Sequence, residues 1–136
     1  MGLLIDTDVL VLAERSRAAL DLARYAEYGD AYISAVTASE LLVGVHRAVD
    51  EAIRARRLAF VEGVLSALSA LPVDLETARI HAHLVVQIPR NETVGAHDAL
   101  IGATALQHGH AVLTSNGKDF RKLLGLVVVD YSAPEA

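Results

Sequence analysis

Short apolar runs alternate with longer segments of mixed apolar and polar residues. Residues 3–5 form an uninterrupted apolar run that ends at Asp6, the pattern of a short strand buried on both faces. Residues 9–12 and then 18–28 have helix-type spacing, closed by Gly29. A second apolar run at 31–33 leads into Ser34, a good N-capping residue, and a helix pattern over 35–49. The helix pattern over 51–70 is ended by Pro72. A third strand is expected at 73–75, a helix at 76–88, and a loop at 89–95, where the chain reads PRNETVG. Residues 97–107 read as a helix with Gly109 as its stop, 111–114 as a fourth strand, 118–124 as a short helix and 126–129 as a fifth strand.

Strands that alternate with helices predict an α/β fold, with a mostly parallel sheet of four to five strands covered by helices on both faces. No repeat, low-complexity tract or linker interrupts the 136 residues, which are therefore read as one domain over 1–136. In such sheets ligands bind beyond the carboxyl ends of the strands, where the strand order reverses. Asp6 stands at such an end, and an acid closing a buried strand is desolvated unless it is paired or holds a metal. Asp8 suits helix N-capping as well as it suits chemistry. Glu40 follows Val36 by four residues and precedes Leu41, at the edge of an apolar helix face. Asp98 opens the helix in AHDALIGATAL, where the helix dipole favours a carboxylate.

Composition narrows the chemistry. Hydrophobic residues at 53% and charged residues at 21% exclude a disordered chain. The absence of cysteine excludes disulfides, thiolate zinc sites and cysteine nucleophiles. Aromatic residues at 4%, with no Trp, argue against a stacking platform for single-stranded bases. A formal net charge of -5 argues against holding nucleic acid by bulk electrostatics. The basic groups Arg54, Arg56, Arg57 and Lys118, Arg121, Lys122 read as solvated helix faces. The start MGLLIDTDVL has no basic leader region and no apolar run is long enough to span a bilayer, so a cytoplasmic location is expected. Carboxylates gathered in one crevice repel unless a hard divalent cation, Mg²⁺ or Mn²⁺, joins them. Such an ion activates water and stabilises charge on phosphorus, which points to phosphodiester hydrolysis.

The strings LLIDTDVL, ISAVTASELLVGV, AHDALIGATAL and AVLTSNGKDF, in that order and spacing, resemble the PIN-domain family over essentially the whole chain. More narrowly, they resemble the VapC ribonuclease toxins of bacterial toxin–antitoxin pairs. The resemblance implies a three-layer α/β/α sandwich and a Mg²⁺- or Mn²⁺-dependent endoribonuclease. It implies that Asp6, Glu40 and Asp98 bind metal and that Thr7 and Thr114 place water or phosphate beside it. The family's fourth acidic position reads Asn116 here, where many relatives carry Asp, and Asp119 stands three residues later. On one helical turn Asn116 and Asp119 share a face, so either is a candidate to complete the site. The resemblance further implies an RNA substrate, dimerisation, and silencing by a VapB-type antitoxin whose basic tail enters the acidic groove.

Two other readings compete. Asp6 and Asp8 after an apolar strand fit the first motif of haloacid-dehalogenase-type phosphatases, with Thr114 or Ser115 as the second. After Lys118, however, that family's pair of metal-binding acids should follow another strand, where only Asp130 stands, and Glu40 and Asp98 have no role in it. The other reading is a PIN-like scaffold that binds RNA or a partner without cutting, motivated by Asn116. The histidines receive no chemical role: His81 and His83 diverge on a helix, His97 precedes Asp98 and is a candidate neighbour of the site but is read as a capping or packing residue, and His46, His108 and His110 form no pattern.

Overall fold

Leu3–Ile5 forms strand β1, which lies at the centre of a five-stranded sheet ordered β3-β2-β1-β4-β5. The others are β2 (Ala31–Ser34), β3 (Ser69–Leu71), β4 (Ala111–Thr114) and β5 (Val128–Asp130), and all neighbours run parallel. The computed structural model describes residues 1–17 and 20–132. In register, Leu3 stands opposite both Ala31 and Ala111, and Ile5 opposite Leu113. Leu3, Leu4 and Ile5 are all buried, as the uninterrupted apolar run requires.

The alternation of side chains along β1 divides the core in two. Leu3 and Ile5 pack with Ile33 and Leu113 beneath helices α1 (Thr7–Ser16), α2 (Ala35–Arg47) and α3 (Glu51–Ala67), through Val9, Leu10, Leu41, Val45, Val61 and Val64. Leu4 and Val112 face the opposite way, against α4 (Leu75–Val86), α5 (Ala96–His108) and the short α6 (Gly117–Phe120), through Leu84, Ile101, Ala103 and Phe120. The result is the expected three-layer α/β/α arrangement. Each fully buried Leu, Ile or Val side chain stabilises the fold by about 1.5–3 kcal/mol.

Local signals set most boundaries. Ser34 Oγ accepts from the Val36 N–H at 3.1 Å and caps α2, and Asp50 caps α3 through Ile53 N–H at 3.0 Å. Gly109 closes α5 in the left-handed region at φ 69. Gly102 on α5 lies directly under Leu123, where a Cβ would collide with the leucine Cδ1.

Several expected elements lie elsewhere. The third strand is Ser69–Leu71 and not 73–75, because α3 already ends at Ala67 and leaves the chain free to pair with β2. Residue 75 belongs to α4, which begins after a capping box in which Asp74 accepts from the Thr77 N–H and Thr77 Oγ1 from the Asp74 N–H. Helix α1 runs over Thr7–Ser16, well beyond 9–12. Of the helix expected over 18–28, only a 3₁₀ segment at Ala23–Tyr28 forms, and residues 18 and 19 lie outside the described residues. Helix α6 stops at Phe120 and not at 124, and β5 is Val128–Asp130 in place of 126–129.

Of the basic groups, Arg54, Arg56, Lys118 and Arg121 are exposed, as expected, but most of these side chains also make specific contacts. Arg57 donates to the Gly44 carbonyl at 3.1 Å, Arg54 donates to the Ala48 carbonyl, and Arg56 pairs with Glu14 at 3.6 Å, so the three fasten α3 onto α2 and α1. Arg121 grips Asp130 with both terminal nitrogens at 3.0 and 2.7 Å. Lys122 pairs with Asp119 and donates to the Thr93 carbonyl, both at 3.1 Å, which ties the loop at 89–95 to the turn after α6. Among the described residues no helix is long and apolar enough to cross a membrane.

Candidate active site

The carboxyl end of β1 hands the chain to α1 at Asp6, which occupies the N-cap position with extended backbone (φ -68, ψ 149). Its side chain makes no capping bond. It is turned toward β4, where the Thr114 hydroxyl donates to Asp6 Oδ2 at 2.8 Å. The same hydroxyl accepts the Asn116 N–H at 2.8 Å, so Thr114 joins the ends of β1 and β4 to the turn that follows. Asp6 is only 1% exposed. Burial, and then the nearby negative charges of Asp8 and Asp98, push its carboxyl from an ordinary 3.8 up to about 7, against the lowering effect of the Thr114 bond. Asp8 is exposed in the first turn of α1, one residue past Thr7, and is not the N-cap.

Asp98 arrives from the first turn of α5, whose N-cap is Gly95, so it stands at the start of the helix as expected. Its carboxyl is raised above the usual range, by burial first and then by the charges of Asp8, Glu40 and Asp119. Asp98 is thus within electrostatic reach of Asp6, Asp8, Glu40 and Asp119, and Asp6 of Asp8.

Glu40 projects from α2 and is held on both oxygens. Thr7 Oγ1 donates to Oε1 at 2.7 Å, and His97 Nδ1 lies 3.2 Å from Oε2. Behind Thr7 stands the Thr37 hydroxyl at 3.0 Å. Sequence reasoning missed both Thr37 and His97. Thr37 had a readable signal, a hydroxyl three residues before Glu40 on the same helix face. The His97 contact crosses between two helices and has no local signature.

At the fourth position the Asn116 amide bridges Asp98 Oδ2 at 3.5 Å and Asp119 Oδ2 at 3.1 Å. Asp119 is thereby committed: the Asn116 bond, then Lys122, hold its carboxyl below the usual range. The structure thus brings all the sequence-derived residues together: Asp6, Thr7, Glu40, Asp98, Thr114, Asn116 and Asp119. Asp130, by contrast, is exposed and taken up by Arg121.

Among the described residues, no three His, Asp or Glu groups are drawn in around one common point as a finished cation cage. Each acid leans instead on a hydrogen-bond donor of the protein. The donor chemistry nevertheless fits a hard cation: the converging groups are carboxylate and hydroxyl oxygens, and the most buried, Asp6, has a single side-chain hydrogen-bond donor against two neighbouring negative charges. Asp6, Glu40 and Asp98 are the residues that would hold it.

A groove leads away from Glu40 between α1, α2 and α3, walled by Val11, Leu41, Phe60 and Val61, with Glu14 and Arg15 on its rim. Among the described residues, one oxygen of Glu14 there is buried without a hydrogen-bond partner and stands 3.6 Å from the Arg56 Nε.

The PIN domain family model matches residues 3–125. Ribonuclease VapC1 of Rickettsia felis is 39% identical over 136 residues, covering 99% of this chain and 100% of that protein. The VapBC-5 structure from Mycobacterium tuberculosis, a member of the VapBC family of toxin-antitoxin systems, superposes with a TM-score of 0.74 at 33% identity over 97% of this chain and 98% of that one. A Rickettsia felis VapBC2 chain, solved bound to a promoter DNA fragment, shares the fold at a TM-score of 0.85, over 97% of this chain and all of that one (100%), with 18% identity. With Asp6, Glu40, Asp98 and their hydroxyl partners converging at the carboxyl edge of this sheet, the chain belongs to the PIN-domain family, in its VapC group.

Proposed function

We propose that the protein is a Mg²⁺- or Mn²⁺-dependent endoribonuclease, acting as the toxin of a type II toxin–antitoxin pair with a VapB-type partner. The observation that carries this reading is Asp6: a carboxyl 1% exposed at the end of the central strand, pushed up to about 7, with Glu40 and Asp98 converging on the same edge. Such an acid costs the fold stability unless a cation compensates it. The family membership supports hydrolysis of RNA, and the phosphatase alternative has no second acid pair, since Asp130 is spent on Arg121.

When bound, the ion would supply positive charge to the phosphate oxygens and make a water easier to deprotonate. The residues of the chain do the remainder. Asp6, Glu40 and Asp98 would hold the ion. Thr114 and Thr7 fix the Asp6 and Glu40 carboxylates through bonds of 2.8 and 2.7 Å, which keeps the oxygens from reorganising as charge develops. The Asn116 amide restrains Asp98 and keeps Asp119 turned toward Lys122. Water attacks phosphorus, one P–O ester bond breaks, and the leaving oxygen takes a proton from solvent.

The groove beyond Glu40, with its apolar walls and the buried oxygen of Glu14, is suited to an antitoxin segment that offers apolar side chains and an Arg or Lys. The test is incubation of purified protein with total cellular RNA. Cleavage in Mg²⁺ or Mn²⁺, abolished by EDTA and by Asp6→Asn, is expected. RNA binding without any metal-dependent cutting would overturn the nuclease reading in favour of a non-cleaving scaffold.

A further inference from the structure

We infer that Thr37 and His97 are positioning residues for Glu40, gripping its carboxylate from inside the fold and from the solvent side. This rests on the reading of Glu40 as a metal-holding acid. The hydroxyl of Thr7 has one proton, and two oxygens compete for it: Glu40 Oε1 at 2.7 Å and Thr37 Oγ1 at 3.0 Å. The shorter bond, to a carboxylate, takes the proton. Thr37 therefore donates to Thr7, and Thr7 to Glu40, in a relay that runs from the core to the site.

The orientation of Thr37 marks it for this task. A buried threonine within a helix commonly bonds the carbonyl one turn back, as Thr104 does to Leu100 at 2.9 Å. Thr37 is 0% exposed, and its hydroxyl's hydrogen bond among the described residues is to Thr7, across the boundary between α2 and α1. A buried hydroxyl with one partner ties that partner firmly, because losing it leaves a polar group unsatisfied.

His97 acts from the other side. Its side chain is 62% exposed, so packing does not force it against Glu40, yet Nδ1 stands 3.2 Å from Oε2. With both oxygens engaged, Glu40 keeps one rotamer although its own side chain is 31% exposed. A long carboxylate side chain at that exposure otherwise samples several rotamers, and fixing it beforehand removes that entropy cost from the binding step.

A double-mutant cycle tests the relay without reference to activity. Urea unfolding of the metal-free protein is measured for Thr37→Val, Glu40→Gln and the double variant, with Thr104→Val paired with Glu40→Gln as the control. A coupling of about threefold or more in the unfolding constant is expected for the first pair and none for the control. Mn²⁺ binding to the RNA-free protein, followed by electron paramagnetic resonance, is expected to weaken by roughly fivefold in both Thr37→Val and His97→Phe, and to recover in Thr37→Ser and His97→Gln. In RNA cleavage at saturating Mn²⁺ the Thr37→Val variant is expected to lose kcat with KM for RNA unchanged. Additive unfolding effects for Thr37→Val and Glu40→Gln overturn the relay, and unchanged Mn²⁺ affinity in both Thr37→Val and His97→Phe overturns the positioning role. A wild-type protein that shows the coupling and binds Mn²⁺ but leaves RNA intact would sink the nuclease reading while supporting the relay.

Discussion

Thr114 donates its hydroxyl proton to Asp6 across the β1–β4 pair, a 2.8 Å bond between residues 108 positions apart in sequence. It joins the two ends of the parallel pair at the point where α1 departs, and with the Thr7 backbone bond it offsets part of the cost of burying this acid. The removal of that acid's charge is therefore expected to separate stability from activity.

Asp6→Asn keeps an oxygen that accepts from Thr114 and discards the charge. Cleavage of RNA is expected to fall by about a hundredfold or more, in line with loss of a metal-holding acid. At pH 8 and without metal, the same variant is expected to be more stable than wild type by roughly 2–4 kcal/mol, the order of the linkage value for a carboxyl raised from 3.8 to about 7. Urea denaturation in EDTA checks the second half. A less stable variant would mean that Asp6 is held by compensation inside the fold and not by a cation.

The pH dependence follows the same acid. In the unfolded chain the carboxyl titrates near 3.8, and in the fold near 7, so between those values only the folded chain keeps the proton. Asp98 is raised too and adds in the same direction. The metal-free protein is therefore expected to lose stability as the pH rises through that window, toward neutrality. Added Mg²⁺ or Mn²⁺ should restore it, raising Tm by about 3 °C or more at pH 7.5 and hardly at all at pH 4.5. Thermal unfolding with and without EDTA at the two pH values reads this directly.

Asn116→Asp inserts a negative charge between Asp98 and Asp119, where an amide now donates to both. Both donations are lost and like charges meet. The metal-free variant is expected to melt about 3 °C or more below wild type, while its affinity for Mn²⁺ rises by roughly tenfold. Titration calorimetry measures the affinity. An unchanged affinity would show that this position lies outside the cation's reach.

Gly102→Ala probes the packing of α5, which delivers Asp98. Its added Cβ would meet Leu123 Cδ1 in a fully buried layer. A cost of about 1–3 kcal/mol is expected from overpacking, read as a lower urea midpoint with an unchanged slope.

The sequence carried the layer order and the strand-end acid because both rest on local signals: unbroken apolar triplets for buried strands, and an acid at their ends. The third strand escaped because Ser69–Leu71 is short and mostly exposed, and so lacks the apolar signature of its neighbours, whereas the residues just after it look more strand-like. The Asp74–Thr77 capping box was present in the sequence and argues against a strand reaching residue 75. The arginines at 54, 56 and 57 read as a charged face because their partners, two backbone carbonyls and the Glu14 carboxylate, lie outside their own helix, which no composition reveals. Glu40 was legible only through motif resemblance. What defines it physically, Thr7, Thr37 and His97, comes from three separate elements that meet only after folding.

The central position of β1 also bears on synthesis. Its partner on one side, β2, follows within about thirty residues, whereas its partner on the other, β4, begins at Ala111. A chain emerging from the ribosome therefore carries Asp6 and Glu40 long before Asp98, Thr114 and Asn116 exist to join them. Closing this long-range pair is the slow, entropically costly step of such a topology. The acids at this sheet edge therefore come together only late in the chain's synthesis, once the segment from Asp98 to Asn116 has been made.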